Sequence, residues 1–507
     1  MILLFRSLTN LRSRMKMRRR LIVLFAAIPV CLYLLAIAPG GVHAGSSTTA
    51  SVPGSQSVFI EKWKPKIDEI VMPLILAERS AGIIVGVYHE GRQFFIGYGR
   101  TDLQGDKIPD EKTIFEIGSL TKVFTTLSLA RKVTEYGVAL ENPIKLLLPP
   151  DVKIPQYGPR EITLLDLATH YSGLPRMPEN YKPADPMDPY KDYTRQRLYE
   201  FLAAYALPRP PGAAYEYSNL GSGLLGHTLA VKFGKTYEDL ILSELCRPLG
   251  LKDTTFVVSE GNRPRFAQGY GPDLDRVPHW QFDVLAPAGA LRSTATDVLK
   301  FAVANMKGTG SLGAAMNITH IPRFPAATPD MQTGLGWLII PKQSYSIIWH
   351  NGGTYGFSSF LSFSKEKRTA VVVLRNTAAY MNGHTDQVGV SIMKCLLGLP
   401  YETLKLEREG PVNPAVLDSY TGQYEQLGTK SSQALSVKQK LSRRGNRMIM
   451  VSSPDEETII YPESETVFFT KGVPTKVRFA REQNGEVARM FIMTGGEETS
   501  WLRKQGE

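Results

Sequence analysis

Phe115-Glu116-Ile117-Gly118-Ser119-Leu120-Thr121-Lys122 is the stretch from which the rest of the chain can be read. It sets a serine at the opening of a helical run, Leu120 to Ala130, with a lysine one turn along on the same face. The start of a helix favours negative charge developing at that serine. Alone the pattern is weak, because Ser-x-x-Lys also begins at Ser13, Ser362, Ser364 and Ser391, and such a pair is usually a solvated helix face. Tyr-x-Asn starts at Tyr217 and Tyr380, and His-x-Gly at His43, His89 and His350. Order separates them. Beyond the first 44 residues, only Ser119 is followed by a Tyr-x-Asn and then by a His-x-Gly. The set is Ser119-Leu120-Thr121-Lys122, Tyr217-Ser218-Asn219 and His350-Asn351-Gly352, the last running into Gly353, where backbone can approach a ligand closely.

Other engines are missing from the sequence. There is no Gly-x-Ser-x-Gly elbow, no His-Glu-x-x-His zinc helix and no phosphate-binding Walker loop. Gly-x-Gly-x-x-Gly occurs at Gly221-Gly223-Gly226 and Gly308-Gly310-Gly313, but neither copy follows an expected strand, so both read as packing or loop. The chain has 507 residues, 43% hydrophobic and 21% charged, a composition that excludes disorder and low complexity for the whole. Three cysteines exclude a disulfide-built scaffold, and no metal or cofactor is expected. Cys246 and Cys395 fall in apolar helical stretches and read as buried free thiols. The formal charge of +11 includes seven Lys/Arg within residues 1–44, where there is no Asp or Glu; without them it is +4, which removes the main argument for nucleic acid.

Those seven charges belong to a leader. Arg18-Arg19-Arg20 precedes the apolar run Leu21–Ala38 and a small-residue end at Val42 and Ala44, predicting a secretory signal over 1–44. The alternative is a retained single-span anchor, which would be the protein's one contact with a membrane. Residues 45–57 read as a polar spacer. In 58–400, Trp63, Ile67, Ile70 and Leu74 mark an amphipathic first helix, followed by a hairpin of Ile83–Tyr88 and Gln93–Gly99 whose turn puts His89 at the surface. A mainly helical region from Ile114 to Lys307 contains the loop 176–193, in which Tyr181, Tyr190 and Tyr193 offer flat contact surfaces. Strands return at 335–340, 346–350, 357–362 and 369–374, and a helix at 384–397 closes the unit. The class is α+β: a sheet built from both ends of the unit with helices inserted between. After a linker at 401–414, residues 415–507 read as short strands only, hence a small antiparallel barrel or sandwich.

The three motifs resemble those of the serine β-lactamase and penicillin-binding superfamily. Tyr217-Ser218-Asn219, and His350 where the third motif usually has Lys, make the chain similar to class C β-lactamases, related DD-carboxypeptidases, D-aminopeptidases and β-lactamase-fold esterases. Leu164–Pro175 and Ala288–Ser293 look familial too, and 415–507 resembles the lipocalin-like domains attached to some members. The resemblance implies a β-lactamase/DD-peptidase-like fold over 58–400. It also implies an exported hydrolase that forms an acyl-enzyme with peptidoglycan stem peptides, β-lactams or small esters. Ser119 would be the nucleophile, and Lys122 either a neutral base or the partner of a tyrosinate. Tyr217 would return the proton, and Asn219 would bind the amide carbonyl on the substrate's acyl side. Ser119 and Gly353 would supply the oxyanion N–H groups, Gly352 would stand beside them, and His350 would orient a substrate carboxylate or Tyr217. A protonated His350 clamping a carboxylate predicts a KM that rises near ~6.5 for acidic substrates only. His170 is expected to be structural. Two further readings stay open: an esterase or D-aminopeptidase on the same scaffold, and a non-catalytic penicillin- or wall-binding protein.

Overall fold

The computed structural model describes residues 54–378, 383–426, 438–453 and 456–504. The leader expected at 1–44 lies outside them, as do Cys31, His43 and the motif beginning at Tyr380. Among the described residues no helix is long and apolar enough to cross a membrane.

Strand β1 (Gly82–His89, sequence GIIVGVYH) is buried along its whole length, the environment a continuous apolar run demands. It turns through Glu90-Gly91, both at positive φ, into β2 (Arg92–Gly99). The later strands β3 (Ser346–Gly353), β4 (Ser358–Ser364) and β5 (Thr369–Arg375) form a meander, and β5 pairs with β1, Val85 opposite Val373. One antiparallel sheet of eight strands results, in the order β2, β1, β5, β4, β3, then 338–341, 332–333 and 324–325. The two ends of the unit meet at its centre, as the sequence indicated. Ile84, Tyr88, Leu361, Val372 and Leu374 point to one face, and Ile83, Val85, Val87, Phe360, Val371 and Val373 to the other.

The second face is covered by α1 (Gly54–Leu76), whose Trp63, Ile67, Ile70 and Leu74 are all buried as expected, together with the closing helix His384–Leu396. α1 begins inside the stretch read as spacer. The first face carries the helical region, including α2 (Thr121–Tyr136), α3 (Asn219–Phe233) and α4 (Ala295–Lys307). Gly223 and Gly226 of α3 are packing glycines: a Cβ there would lie 2.4 Å from Leu285 Cδ2 and 2.3 Å from Pro287 Cγ. Cys246 and Cys395 are buried and unbonded.

Two expectations need correction. His89 is not on the surface; it is the last residue of β1, with Nδ1 2.8 Å from Thr369 Oγ1 and its ring against the edge of Trp63. α1 covers this end of the strand, which the local pattern could not reveal. Tyr193 offers no contact surface either: it is fully buried and its hydroxyl donates to Asn180 Oδ1 at 2.9 Å.

Beyond the linker, a closed antiparallel barrel of eight strands runs in sequence order from Gly422–Gln426 to Glu497–Arg503, which pair with each other to complete it. Tyr424, Met448, Phe468, Phe479, Met490 and Trp501 pack together in its core. A short helix, Pro414–Ser419, precedes it, so the segment is not strands alone. The barrel meets the larger unit through polar contacts. Tyr461 donates to Asp273 Oδ1 at 2.7 Å, Arg79 reaches Glu407 and the Thr470 carbonyl, and Lys471 pairs with Glu78 and Glu409.

Candidate active site

Ser119 sits in the turn Gly118–Leu120 that leads into α2. The end of β3 lies backbone to backbone on this turn, which two glycines make possible. A Cβ at Gly118 would come 2.5 Å from Gly353 N, and one at Gly352 would come 2.1 Å from Ile117 O and 2.9 Å from Ser119 N. The peptide groups of Ser119 and Gly353 thus lie on the same wall, where two N–H donors can converge on an oxyanion.

Lys122, the second residue of α2 and three residues after Ser119, is 1% exposed. Its Nζ lies 2.9 Å from Ser119 Oγ, 2.9 Å from Asn219 Oδ1 and 2.7 Å from the carbonyl oxygen of Ala288. Among the described residues no carboxylate lies within ion-pairing distance of it. Burial, reinforced by the charge of Arg176, holds the amine well below the ordinary lysine range.

Tyr217 and Asn219 are hung from the segment 170–176. Glu216 N–H donates to the His170 carbonyl at 2.8 Å, Ser218 N–H to His170 Nδ1 at 3.1 Å, and Asn219 N–H to the Arg176 carbonyl at 3.0 Å. Ser218 caps α3, its Oγ accepting from Gly221 N–H and donating to the Pro175 carbonyl. The His170 ring packs on Tyr217 with centroids 4.5 Å apart, so His170 is a positioning group, as expected. Burial raises the pKa of the Tyr217 hydroxyl, against smaller opposite effects of the Arg176 charge and the Ser119 side chain. Asn219 Nδ2 donates to the Tyr190 hydroxyl at 3.0 Å, which leaves Oδ1 turned to Lys122.

His350, on β3 opposite Leu361, is buried, with its ring 6.2 Å from that of Tyr217. Its Nδ1 is 2.5 Å from the Asn351 carbonyl oxygen and so carries the proton, leaving Nε2 as an acceptor. Asn351 Nδ2 donates to the half-buried Asp386 at 2.6 Å. Burial, with Lys122 nearby, pushes His350 down to about 3, which corrects the expectation of a group titrating near neutrality.

The structure therefore brings all seven sequence-derived residues, Ser119, Lys122, Tyr217, Asn219, His350, Gly352 and Gly353, to one place. The serines of the competing motifs stay away: Ser362 is buried in β4 and Ser391 donates to the Glu402 carbonyl. Sequence reasoning missed Tyr190 as the partner of Asn219, Ala288 as the acceptor for Lys122, Asp386 behind Asn351, and Arg176. Tyr190 and Ala288 lie in stretches already singled out, but their contacts with Asn219 and Lys122, like those of Asp386 and Arg176, are made to residues distant in sequence.

The family model described as Beta-lactamase matches residues 67–387. The chain belongs to the beta-lactamase family. It is 26% identical over 341 residues to the D-alanyl-D-alanine-carboxypeptidase/endopeptidase AmpH of Escherichia coli strain K12, covering 64% of this chain and 86% of that protein. It is 25% identical over 352 residues to a beta-lactamase of Lysobacter lactamgenus, covering 63% and 88%. Among solved structures a class C beta-lactamase matches with a TM-score of 0.58 and 25% identity, over 68% of this chain and 98% of that one. The fold is thus that of the class C beta-lactamases, and the protein is a serine hydrolase of the beta-lactamase and DD-carboxypeptidase type.

Proposed function

We propose that the protein is an exported hydrolase that forms an acyl-enzyme at Ser119 and acts on D-amino-acid peptides or β-lactams. The observation that carries the reading is the set of contacts at Lys122 Nζ. A neutral amine has two N–H bonds and one lone pair. Asn219 Oδ1 and the Ala288 carbonyl can only accept, so they take the two N–H bonds and the lone pair faces the hydroxyl of Ser119. Lys122 is then a base built to remove the Ser119 proton. Tyr217, kept protonated by its burial, is the wrong group to be a resident tyrosinate and the right one to donate.

In acylation Ser119 Oγ attacks the carbonyl carbon while its proton passes to Lys122. Negative charge on the carbonyl oxygen meets the N–H groups of Ser119 and Gly353, at roughly 3–4 kcal/mol per donor. Tyr217 protonates the leaving nitrogen and is recharged from Lys122. Water then repeats the sequence on the ester. Neutral His350 accepts through Nε2 and steadies the Tyr217 hydroxyl or a substrate N–H. The names of AmpH and the beta-lactamase relatives support peptide and β-lactam substrates.

Labelling with a fluorescent penicillin followed by peptide mapping tests this directly, beside turnover of a D-Ala-D-Ala peptide, a chromogenic cephalosporin and a short-chain p-nitrophenyl ester. A single adduct on Ser119, lost in Ser119→Ala, is expected. An adduct on another serine, or none with any substrate, would refute it; turnover of the ester alone would move the function to an esterase.

A further inference from the structure

We propose that Tyr190 is a positioning residue for the nucleophile: from the loop 176–193 it holds Asn219, and through Asn219 it sets the direction in which Lys122 takes the Ser119 proton. The inference rests on the acyl-transfer reading above and adds to it a residue that none of the three motifs contains.

Tyr190 is held from several sides. It is buried, its ring stacks on Phe282 with centroids 4.7 Å apart, and it leans on Trp280 at 5.1 Å. Two residues earlier, Asp188 Oδ1 accepts from Gln281 N–H at 2.6 Å, and three residues later Tyr193 is fastened to Asn180. The other end of the loop is tied to the start of α3, since the Arg176 carbonyl accepts from Asn219 N–H at 3.0 Å and from Leu220 N–H at 3.3 Å. Both ends of the loop thus converge on Asn219, 29 residues beyond Tyr190.

The hydrogen bonds among these groups run one way. Tyr190 keeps its proton, because burial pushes it up to about 12. That proton goes to Met177 Sδ at 3.5 Å, and a thioether sulfur can only accept. The hydroxyl oxygen is therefore offered as an acceptor, and Asn219 Nδ2 donates to it at 3.0 Å. With its nitrogen so placed, the amide sets Oδ1 2.9 Å from Lys122 Nζ, where it takes one N–H bond. The Ala288 carbonyl takes the other, and the lone pair is left for Ser119. Deleting the phenolic oxygen leaves a buried amide N–H with Met177 Sδ, 3.6 Å away, in its place. An amide so deprived turns toward another partner, and the acceptor that orients Lys122 turns with it.

Tyr190→Phe keeps the ring and removes the oxygen. Its acylation rate at saturating fluorescent penicillin, and its kcat/KM for p-nitrophenyl acetate, should each fall roughly 3- to 10-fold, the worth of one buried hydrogen bond, while its circular dichroism stays that of the wild type. The acetate carries no amide. A loss confined to the penicillin would mean that Tyr190 only binds substrate, and would overturn the proposal. The deciding measurement is the same substitution in Asn219→Ala protein, where it should change neither rate, because the residue it acts through has gone. A further loss in that background would show that Tyr190 acts through the packing of its loop, and would overturn the proposal as well. Wild-type rates in Tyr190→Phe would overturn the Tyr190 assignment alone, whereas absence of any Ser119 adduct in the wild type would refute the acyl-transfer reading and this inference with it.

Discussion

At His350, burial and Lys122 push the imidazole down to about 3, so its charge does not change between about pH 5 and 8. KM for carboxylate-bearing and neutral esters should therefore run parallel across that range. A step near ~6.5 confined to the acidic substrates would show that the ring is protonated in use. Behind it, burial raises the Asp386 carboxyl from 3.8 to about 7. The folded protein holds this proton where the unfolded chain has released it, so this contribution to stability falls as pH rises from about 4 to 7 and then levels. Asp386→Asn keeps an oxygen for Asn351 and removes the charge. Its melting temperature should gain on the wild type as pH goes from 5 to 8, and a constant difference would refute the assignment. Lys122→Met should cut the acylation rate by roughly 10²- to 10⁴-fold while leaving a folded protein, since a proton acceptor is lost and an apolar stem is kept; stopped-flow labelling with a fluorescent penicillin measures it.

Helix α3 joins the site to the rest of the helical region. Its glycine face lets the turn Ala286–Ala288 approach, and Ala288 then presents its carbonyl to Lys122. Gly226→Ala would drive a methyl into Pro287. It should cost about 1–3 kcal/mol in chemical denaturation and lower kcat/KM, because the Ala288 carbonyl moves with Pro287. An unaltered denaturation midpoint would contradict this. How much of each element could be read beforehand followed how locally its reason for existing was written. The hairpin β1–β2 was legible because apolar strands and turn residues alternate within one short window. The candidate residues Ser119, Lys122, Tyr217, Asn219, His350 and Gly352 could be picked out because three motifs in order leave little room for coincidence, and Gly353 came from the resemblance they carry. The first and last barrel strands, GQYEQ and EETSWLR, carry no strand pattern of their own: each buries one large residue, Tyr424 or Trp501, and is otherwise mostly polar, so its strand character comes from its neighbour across the closure. His89 was misplaced for the same reason, since what covers it is another element.

At the scale of the molecule, the two units meet through ion pairs and single hydrogen bonds, and none of the site residues touches the barrel among these contacts. Each pair keeps one half-exposed or exposed partner, Glu407, Glu409 or Glu78, although Arg79 and Lys471 are themselves buried. A chain ending after Glu409 keeps Glu407 for Arg79 and should still be labelled at Ser119 by a fluorescent penicillin. A soluble, folded truncation that fails to label would show that the barrel shapes the site. The sheet has a further consequence, in time rather than in space. β1 lies early in the chain and its partner β5 late: the Ala81 N–H donates to Thr377 Oγ1 across 296 residues. Until β5 has been made, β1 has one open edge, and β3 has no completed sheet from which to reach the serine turn. Closing so long a loop is slow and comes after local helices have formed. A nascent chain therefore passes through a stage with its helices built and its candidate site unassembled. Whatever delays the docking of β5 delays the birth of activity, and a chaperone that shields GIIVGVYH during that interval would set how much active enzyme is made.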